Sequence, residues 1–277
     1  MKIPSTLGKV YLVGAGPGAA DLITVRGAKL LEKADIVFHD ALVEPEMLEL
    51  CKQAVKVPVG KRCGKLSSAQ HFINKRLIDA AQQYNIIVRL KGGDPMLFGR
   101  ADEEIQALKG SGIAVEVVPG ITAALAAAAS IGQSLTLRGV SRSVAFVTLA
   151  QATEDTQDAH AILPIQNPSA DTLVYYMGRK DAAKIAQRLI DQNDPHIHTT
   201  PVQIMEAVST PRERLWSSTL GQLAQGKAAS WFDSSSPALI MVGQALQNTS
   251  LNLERSSSKI DNGLQNCQLL TNGRRSA

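Results

Sequence analysis

The chain has 277 residues, 44% of them hydrophobic and 19% charged, with 29 Lys plus Arg against 25 Asp plus Glu and a formal net charge of +4. This is the composition of a globular protein that buries a core, and no apolar run approaches the roughly 20 residues of a membrane span, so a transmembrane reading is excluded. The small basic excess suits an anionic small molecule and lacks the dense basic stripe of a nucleic-acid binder.

A strand over residues 9–13 opens the pattern and leads into Gly14-Ala15-Gly16-Pro17-Gly18-Ala19. The residues before it lack the apolar stretch and cleavage site of a signal peptide, so a cytoplasmic protein is expected. A helix over 24–34, a strand over 35–38 and an apolar segment at 54–57 follow. Ser67 or Ser68 is placed to cap the next helix, on which Ile73, Leu77, Ala80, Ala81 and Tyr84 recur at helical spacing. Residues 86–90 read as a strand ending in Lys91-Gly92-Gly93-Asp94-Pro95, 101–109 as a helix closed by Gly110, and 114–118 as a strand. Pro119-Gly120 then opens an alanine-rich helix over 122–130. A second set of strands is expected at 143–148, 172–176, 202–206 and 238–242. Residues 151–170 are polar and proline-interrupted, which predicts an irregular loop, and 248–277 have no period, which predicts disorder. Strands alternating with helices predict an α/β fold with mostly parallel strands, divided into domains at 1–135 and 136–247 before the tail.

Cys51, Cys63 and Cys267 form no CxxC and have no histidine at ligand spacing, so free thiols are expected and neither a zinc site nor a disulfide framework. The chemistry is sought instead in three glycine turns, each following a strand, where open α/β sheets hold ligands. The first formally matches a dinucleotide fingerprint. However, Pro17 removes an amide and residues 19–23 separate the turn from its helix, which serves a phosphate poorly. It is either a close backbone approach to an uncharged or zwitterionic ligand or a plain connection needing positive φ. In the second turn Asp94 either accepts from a ligand or forms an Asx turn before Pro95. In the third, Thr122 caps a helix or turns its hydroxyl to a ligand.

Five segments together carry a resemblance: Val10-Tyr11-Leu12-Val13-Gly14-Ala15-Gly16-Pro17-Gly18; Val59-Gly60-Lys61-Arg62; Arg89-Leu90-Lys91-Gly92-Gly93-Asp94-Pro95 with Phe98-Gly99-Arg100; Val118-Pro119-Gly120-Ile121-Thr122-Ala123; and Tyr175-Tyr176-Met177-Gly178. In order, over about residues 9–246, they resemble the uroporphyrinogen-III C-methyltransferase family of the tetrapyrrole methylases. The resemblance implies two αβα domains with S-adenosylmethionine in the cleft between them, a homodimer, and no metal, nucleic-acid or membrane partner. It implies two successive methyl transfers to uroporphyrinogen III, at C2 and C7, giving precorrin-1 and then precorrin-2 on the route to sirohaem or cobalamin, with S-adenosylhomocysteine released each time. Carried over, the cofactor contacts are Pro17, Gly92, Gly93, Asp94, Leu97, Thr122, Ala123, Met177 and Val208, the proton acceptor is Asp40 and the donor Lys61.

These residue types suit that chemistry. A sulfonium methyl is already electrophilic, so alignment with a pyrrole carbon and exclusion of water are the main tasks. Methylation leaves positive charge and a proton to remove, which a carboxylate such as Asp40 serves; by itself Asp40 is equally a strand-end turn residue. The eight carboxylates of the substrate suit the arginine fork, with Arg62, Arg89, Arg100, Arg138 and Arg142 as candidates. The chain departs from the family at His39, where a tyrosine is usual, and at Leu137, Leu149-Ala150 and Ala207-Val208. The alternatives are a methyltransferase for a later corrin precursor, an NAD-dependent precorrin-2 dehydrogenase, and a non-catalytic tetrapyrrole or S-adenosylmethionine sensor.

Overall fold

The computed structural model describes residues 7–59, 66–149, 169–190 and 197–247. Lys61, Arg62, Cys63, Cys267, the tail 248–277 and most of the expected loop at 151–170 lie outside the described residues.

The first sheet contains β1 (Lys9–Gly14), β2 (Ile36–His39), β3 (Val55–Pro58), β4 (Ile86–Lys91) and β5 (Val115–Val118), with helices α1 (Val25–Lys33), α2 (Leu66–Ala81) and α3 (Ala101–Gly110) between them. Its order is β3-β2-β4-β1-β5 and every pairing is parallel, so all five carboxyl ends lie along one edge. The pleat sends alternate side chains to opposite faces. Val10, Leu12, Ile36, Phe38 and Ile87 pack with Leu77 of α2 and Leu108 of α3, while Val13, Val37, Val88 and Leu90 pack with Leu31 of α1. Covered on both faces, these strands read as near-continuous apolar runs. Burying each of Leu31, Leu77 and Leu108 contributes about 2 kcal/mol.

The helix ends have local causes. Thr24 caps α1 by accepting from the Gly27 amide at 3.1 Å. The α2 cap expected at Ser67 or Ser68 is corrected: the helix already includes both. Closure of α3 falls two residues beyond Gly110, at Gly112 (φ +70), where Gly112 N donates to Lys109 O and Ile113 N to Leu108 O, a Schellman motif with Ile113 buried beside Leu108.

After β5 come α4 (Ala123–Ser130), β6 (Val144–Thr148), β7 (Thr172–Tyr176), α5 (Ala182–Ile190), β8 (Pro201–Glu206), β9 (Arg214–Thr219), α6 (Leu220–Ala224) and β10 (Ala238–Gly243). The second sheet has the order β6-β7-β10-β8-β9. Here the expectation of mostly parallel strands is corrected. Only β6 and β7 are parallel, and β10 runs against both β7 and β8. One face packs Ile185, Ala186 and Leu189 of α5 on Leu173, Val202, Ile204 and Ile240. The other packs Ala124 and Ala127 of α4 on Val174, Met205 and Met241, where small side chains let the helix lie close. Thus α4, which leaves the first sheet, is core to the second. Among the described residues no helix is long and apolar enough to cross a membrane.

Candidate active site

The three glycine turns meet at the carboxyl ends of β1, β4 and β5. Ala15 N donates to Lys91 O at 2.7 Å, and Gly16 and Gly93 exchange amide hydrogen bonds of 3.1 and 2.7 Å. Asp94 forms the Asx turn, accepting from Met96 N at 2.8 Å, and its other oxygen accepts from Gly120 N at 2.9 Å. One side chain therefore ties the second turn to the third. A Cβ on Gly14 would stand 2.5 Å from Gly120 Cα and 2.6 Å from its nitrogen, so the backbones touch. Gly93 is different: at φ +69, a Cβ there would meet nothing within 4 Å. The turn is open on that side.

No helix starts behind the first turn. A 3-10 turn at Ala20–Leu22 intervenes and α1 begins only at Val25, so the dinucleotide reading lacks its phosphate-binding helix end.

Asp40 follows β2 at the same edge. Its carboxylate is 28% exposed and Oδ1 lies 2.5 Å from the Arg89 guanidinium. Arg89, 2% exposed, sits on the α3 side of β4 and also donates to Glu104 Oε1 at 3.1 Å and to Leu90 O at 3.1 Å. Lys91, two residues on and on the same face, donates to both Glu104 oxygens at 3.1 and 3.0 Å. Burial disfavours the Arg89 cation, but Asp40 and Glu104 outweigh it and hold its pKa above the usual value. Lys91 is pushed below its usual value, first by burial and then by Arg89. Arg89 was expected on the substrate; its guanidinium is instead committed to Asp40, Glu104 and the backbone.

The second sheet supplies the facing side. Tyr176, at the end of β7, places its hydroxyl 2.6 Å from Thr122 Oγ1 and accepts from Ala124 N at 3.1 Å. Thr122 precedes α4 but makes no cap bond of its own; the tyrosine caps the helix instead. Burial pushes the Tyr176 phenol up, partly offset by these two hydrogen bonds. Phe98 stacks obliquely on Tyr176 at 5.2 Å and Phe146 meets it edge-on at 6.1 Å. Met177 next to it is 56% exposed with φ 57. Phe98, Arg100, Ala207 and Ser209 also have positive φ. Each such non-glycine residue stores about 1–3 kcal/mol of strain, of the kind that clusters at ligand sites.

The two halves are also joined at Ala19, whose amide donates to Ser209 Oγ at 3.2 Å. Pro17, Gly92, Leu97 and Ala123 are partly exposed. Val208 turns its side chain into the α4 core, while its carbonyl oxygen lies beside Gly18. Arg100 forks onto Glu103 at 2.6 and 2.7 Å, and Arg138 is exposed in the 137–141 turn; among the described residues Arg89 is the candidate arginine paired with Asp40. His39 brings Nδ1 to 3.3 Å from Asp40 O.

Glu104 and the Tyr176 hydroxyl escaped the sequence reading of the site. A signal existed for Glu104: of the acids Asp102, Glu103 and Glu104, only the last shares a helix face with Ala101 and Leu108. The Tyr176 role depends on a contact 54 residues away in sequence and had no local signal.

A backbone cradle open at Gly93, with Phe98, Met177 and Tyr176 alongside, fits a ligand that is part zwitterion and part flat ring, such as S-adenosylmethionine.

Residues 9–224 match the family model of Tetrapyrrole (Corrin/Porphyrin) Methylases. The chain is 42% identical over 242 residues to a siroheme synthase of Psychrobacter sp. (strain PRwf-1), covering 87% of this chain and 48% of that protein. It is 42% identical over 247 residues to one of Azotobacter vinelandii, covering 88% and 51%. The chain thus spans about half the length of the curated relatives it matches. Among solved structures, uroporphyrin-III C-methyl transferase from Thermus thermophilus complexed with S-adenyl homocysteine superposes with a TM-score of 0.71 at 36% identity, covering 87% of this chain and 94% of that one. A cobalt precorrin-4 methyltransferase gives 0.69 at 26% identity, covering 87% and 96%. The glycine turns, the two sheets and these similarities agree: the chain belongs to the tetrapyrrole (corrin/porphyrin) methylase family.

Proposed function

We propose that the chain is an S-adenosylmethionine-dependent C-methyltransferase that adds two methyl groups to uroporphyrinogen III, giving precorrin-1 and then precorrin-2 for sirohaem or cobalamin. The observation that carries the reading is the meeting of three glycine turns beside an arginine-held carboxylate, Asp40. The similarity to the Thermus thermophilus enzyme supports the choice of substrate.

When bound, S-adenosylmethionine supplies an electrophilic methyl group. Pro17, Gly92, Gly93, Asp94, Leu97, Thr122, Ala123, Met177 and Val208 hold it through backbone groups and apolar surface. Asp40 balances the charge that develops on the macrocycle and takes the proton that leaves after the new carbon–carbon bond forms. Arg89 holds that carboxylate in place through the contact to Oδ1. Lys61 is the proton donor, and Arg62, Arg100 and Arg138 meet substrate carboxylates. On this reading each protomer of a cytoplasmic homodimer has two domains with the ligand between them; the expected boundary at 135/136 moves to the end of β5, because α4 packs on the second sheet.

Anaerobic incubation of the purified protein with uroporphyrinogen III and S-adenosylmethionine, followed by mass analysis, tests this. Two added methyl groups are expected, and ligand binding without transfer overturns the proposal. Similarity to a cobalt precorrin-4 methyltransferase favours a second reading, methylation of a later corrin precursor; transfer to that class alone would establish it.

A further inference from the structure

Behind the site lies a buried carboxylate that the reaction does not use. Glu104, on the inner face of α3, is 0% exposed and accepts from Arg89, from Lys91 and, at 3.2 Å, from Gln70 Nε2. An isolated buried carboxylate is strongly disfavoured. Here two anions, Asp40 and Glu104, face two cations, Arg89 and Lys91, and the interior cluster is neutral. Only Asp40 reaches the cleft edge. Arg89 Nε points inward to Glu104 while a terminal nitrogen points outward to Asp40 Oδ1, so the guanidinium is a rigid bridge between core and site.

We propose that Glu104 and Arg89 are positioning residues for Asp40: Glu104 fixes the guanidinium from inside, and Arg89 fixes one Asp40 oxygen while the other takes the substrate proton. The inference rests on the role given to Asp40 above. The charged groups facing Asp40 among the described residues are Arg89 of β4 with, behind it, Lys91 of β4 and Glu104 of α3; His39 of β2 meets its backbone carbonyl. Lys91 completes the charge balance by donating to both Glu104 oxygens.

The test uses Arg89→Gln and the double variant Glu104→Leu with Lys91→Met, which replaces a buried ion pair by apolar groups of similar size, a change such sites often tolerate. Both are expected to bind S-adenosylmethionine within threefold of the parent and to keep KM for uroporphyrinogen III within threefold, while kcat falls at least tenfold. In Arg89→Gln the fork that fixes Asp40 Oδ1 is lost, and Arg89→Lys, which restores the cation without the fork, is expected to recover only part of kcat. A purely structural role would lower the amount of folded protein and leave kcat per folded molecule near the parent value in all three variants. A crystal structure of the double variant is expected to show Arg89 displaced from Asp40. Wild-type kcat in the double variant, or Arg89 still seated on Asp40 there, overturns the inference. If the parent protein transfers no methyl group to uroporphyrinogen III, the proposed function fails, and the seat of Arg89 in that crystal structure still decides the positioning claim.

Discussion

Tyr176 caps a helix that belongs to another part of the chain: its hydroxyl lies 2.6 Å from Thr122 Oγ1 and accepts the amide of Ala124 at 3.1 Å. One phenol thus joins the end of β7 to the start of α4, beside Met177 and the third glycine turn. Tyr176→Phe keeps the ring contacts with Phe98 and Phe146 and removes both hydrogen bonds. A loss of about 1–2 kcal/mol is expected from the missing cap, seen as a lower Tm, together with several-fold weaker S-adenosylmethionine binding by calorimetry. Unchanged binding would leave Tyr176 as a structural cap alone.

Gly14 and Gly93 separate folding from binding. Gly14→Ala drives a Cβ into the backbone of Gly120, which has no flexible end to move aside, and a loss of about 3 kcal/mol is expected. Gly93→Ala meets open space and pays mainly for its φ, about 1 kcal/mol. Its methyl group would fill the cradle, so ligand affinity should fall at least tenfold in a protein that still melts cooperatively.

Asp40→Asn keeps the shape of the side chain and removes its charge. With Asp40 as proton acceptor, turnover should fall at least a hundredfold while S-adenosylmethionine affinity stays within threefold. Near-parent rates in a stopped assay of methylated product would reject that role.

How much of this was legible beforehand depended on how local each cause is. β1 and β4 announce themselves as apolar runs, and Thr24 sits at its cap position without help from the rest of the chain. β9 did not: it is an edge strand whose Arg214, Leu215 and Ser217 are exposed, so it lacks an alternating pattern. α5 is not among the expected elements, although Ala182, Ile185, Ala186 and Leu189 carry a clear helical period. That β10 runs against β7 and β8 is set by chain reversals no single segment encodes. In the site, the glycine turns were readable as turns, but whether Arg89 faced substrate or core depended on Glu104, which lies on a separate helix.

Away from the site, Asp233 shapes the turn before β10. It accepts from Ser235 N, Ser235 Oγ and Ser236 Oγ, each at 2.9 Å, and these bonds, the Ser235 amide foremost, pull its carboxyl down to about 2 from an ordinary 3.8. A carboxyl lowered in the folded state adds stability above its unfolded value and loses it as pH falls toward the folded one. The urea midpoint of Asp233→Asn should therefore lie below that of the parent at pH 6, with the gap shrinking as pH drops below about 4. A gap independent of pH would assign the effect to shape and not to charge.

The position of β1 has a consequence for how the protein is made. Val10 pairs with Ile87 on one side and with Val115 on the other, so the earliest strand of this sheet to be synthesised waits for both of its partners. At ribosomal rates the wait is on the order of ten seconds. Through that interval Val10, Leu12 and Val13 belong to a strand with two open edges, the kind of segment that aggregates or recruits holding factors. Fragments ending before β5 should inherit this exposure permanently, so truncation from the C-terminal side should give insoluble protein once the cut passes residue 115. Slower synthesis lengthens the interval, so soluble yield should fall as elongation slows unless a holding factor covers that strand.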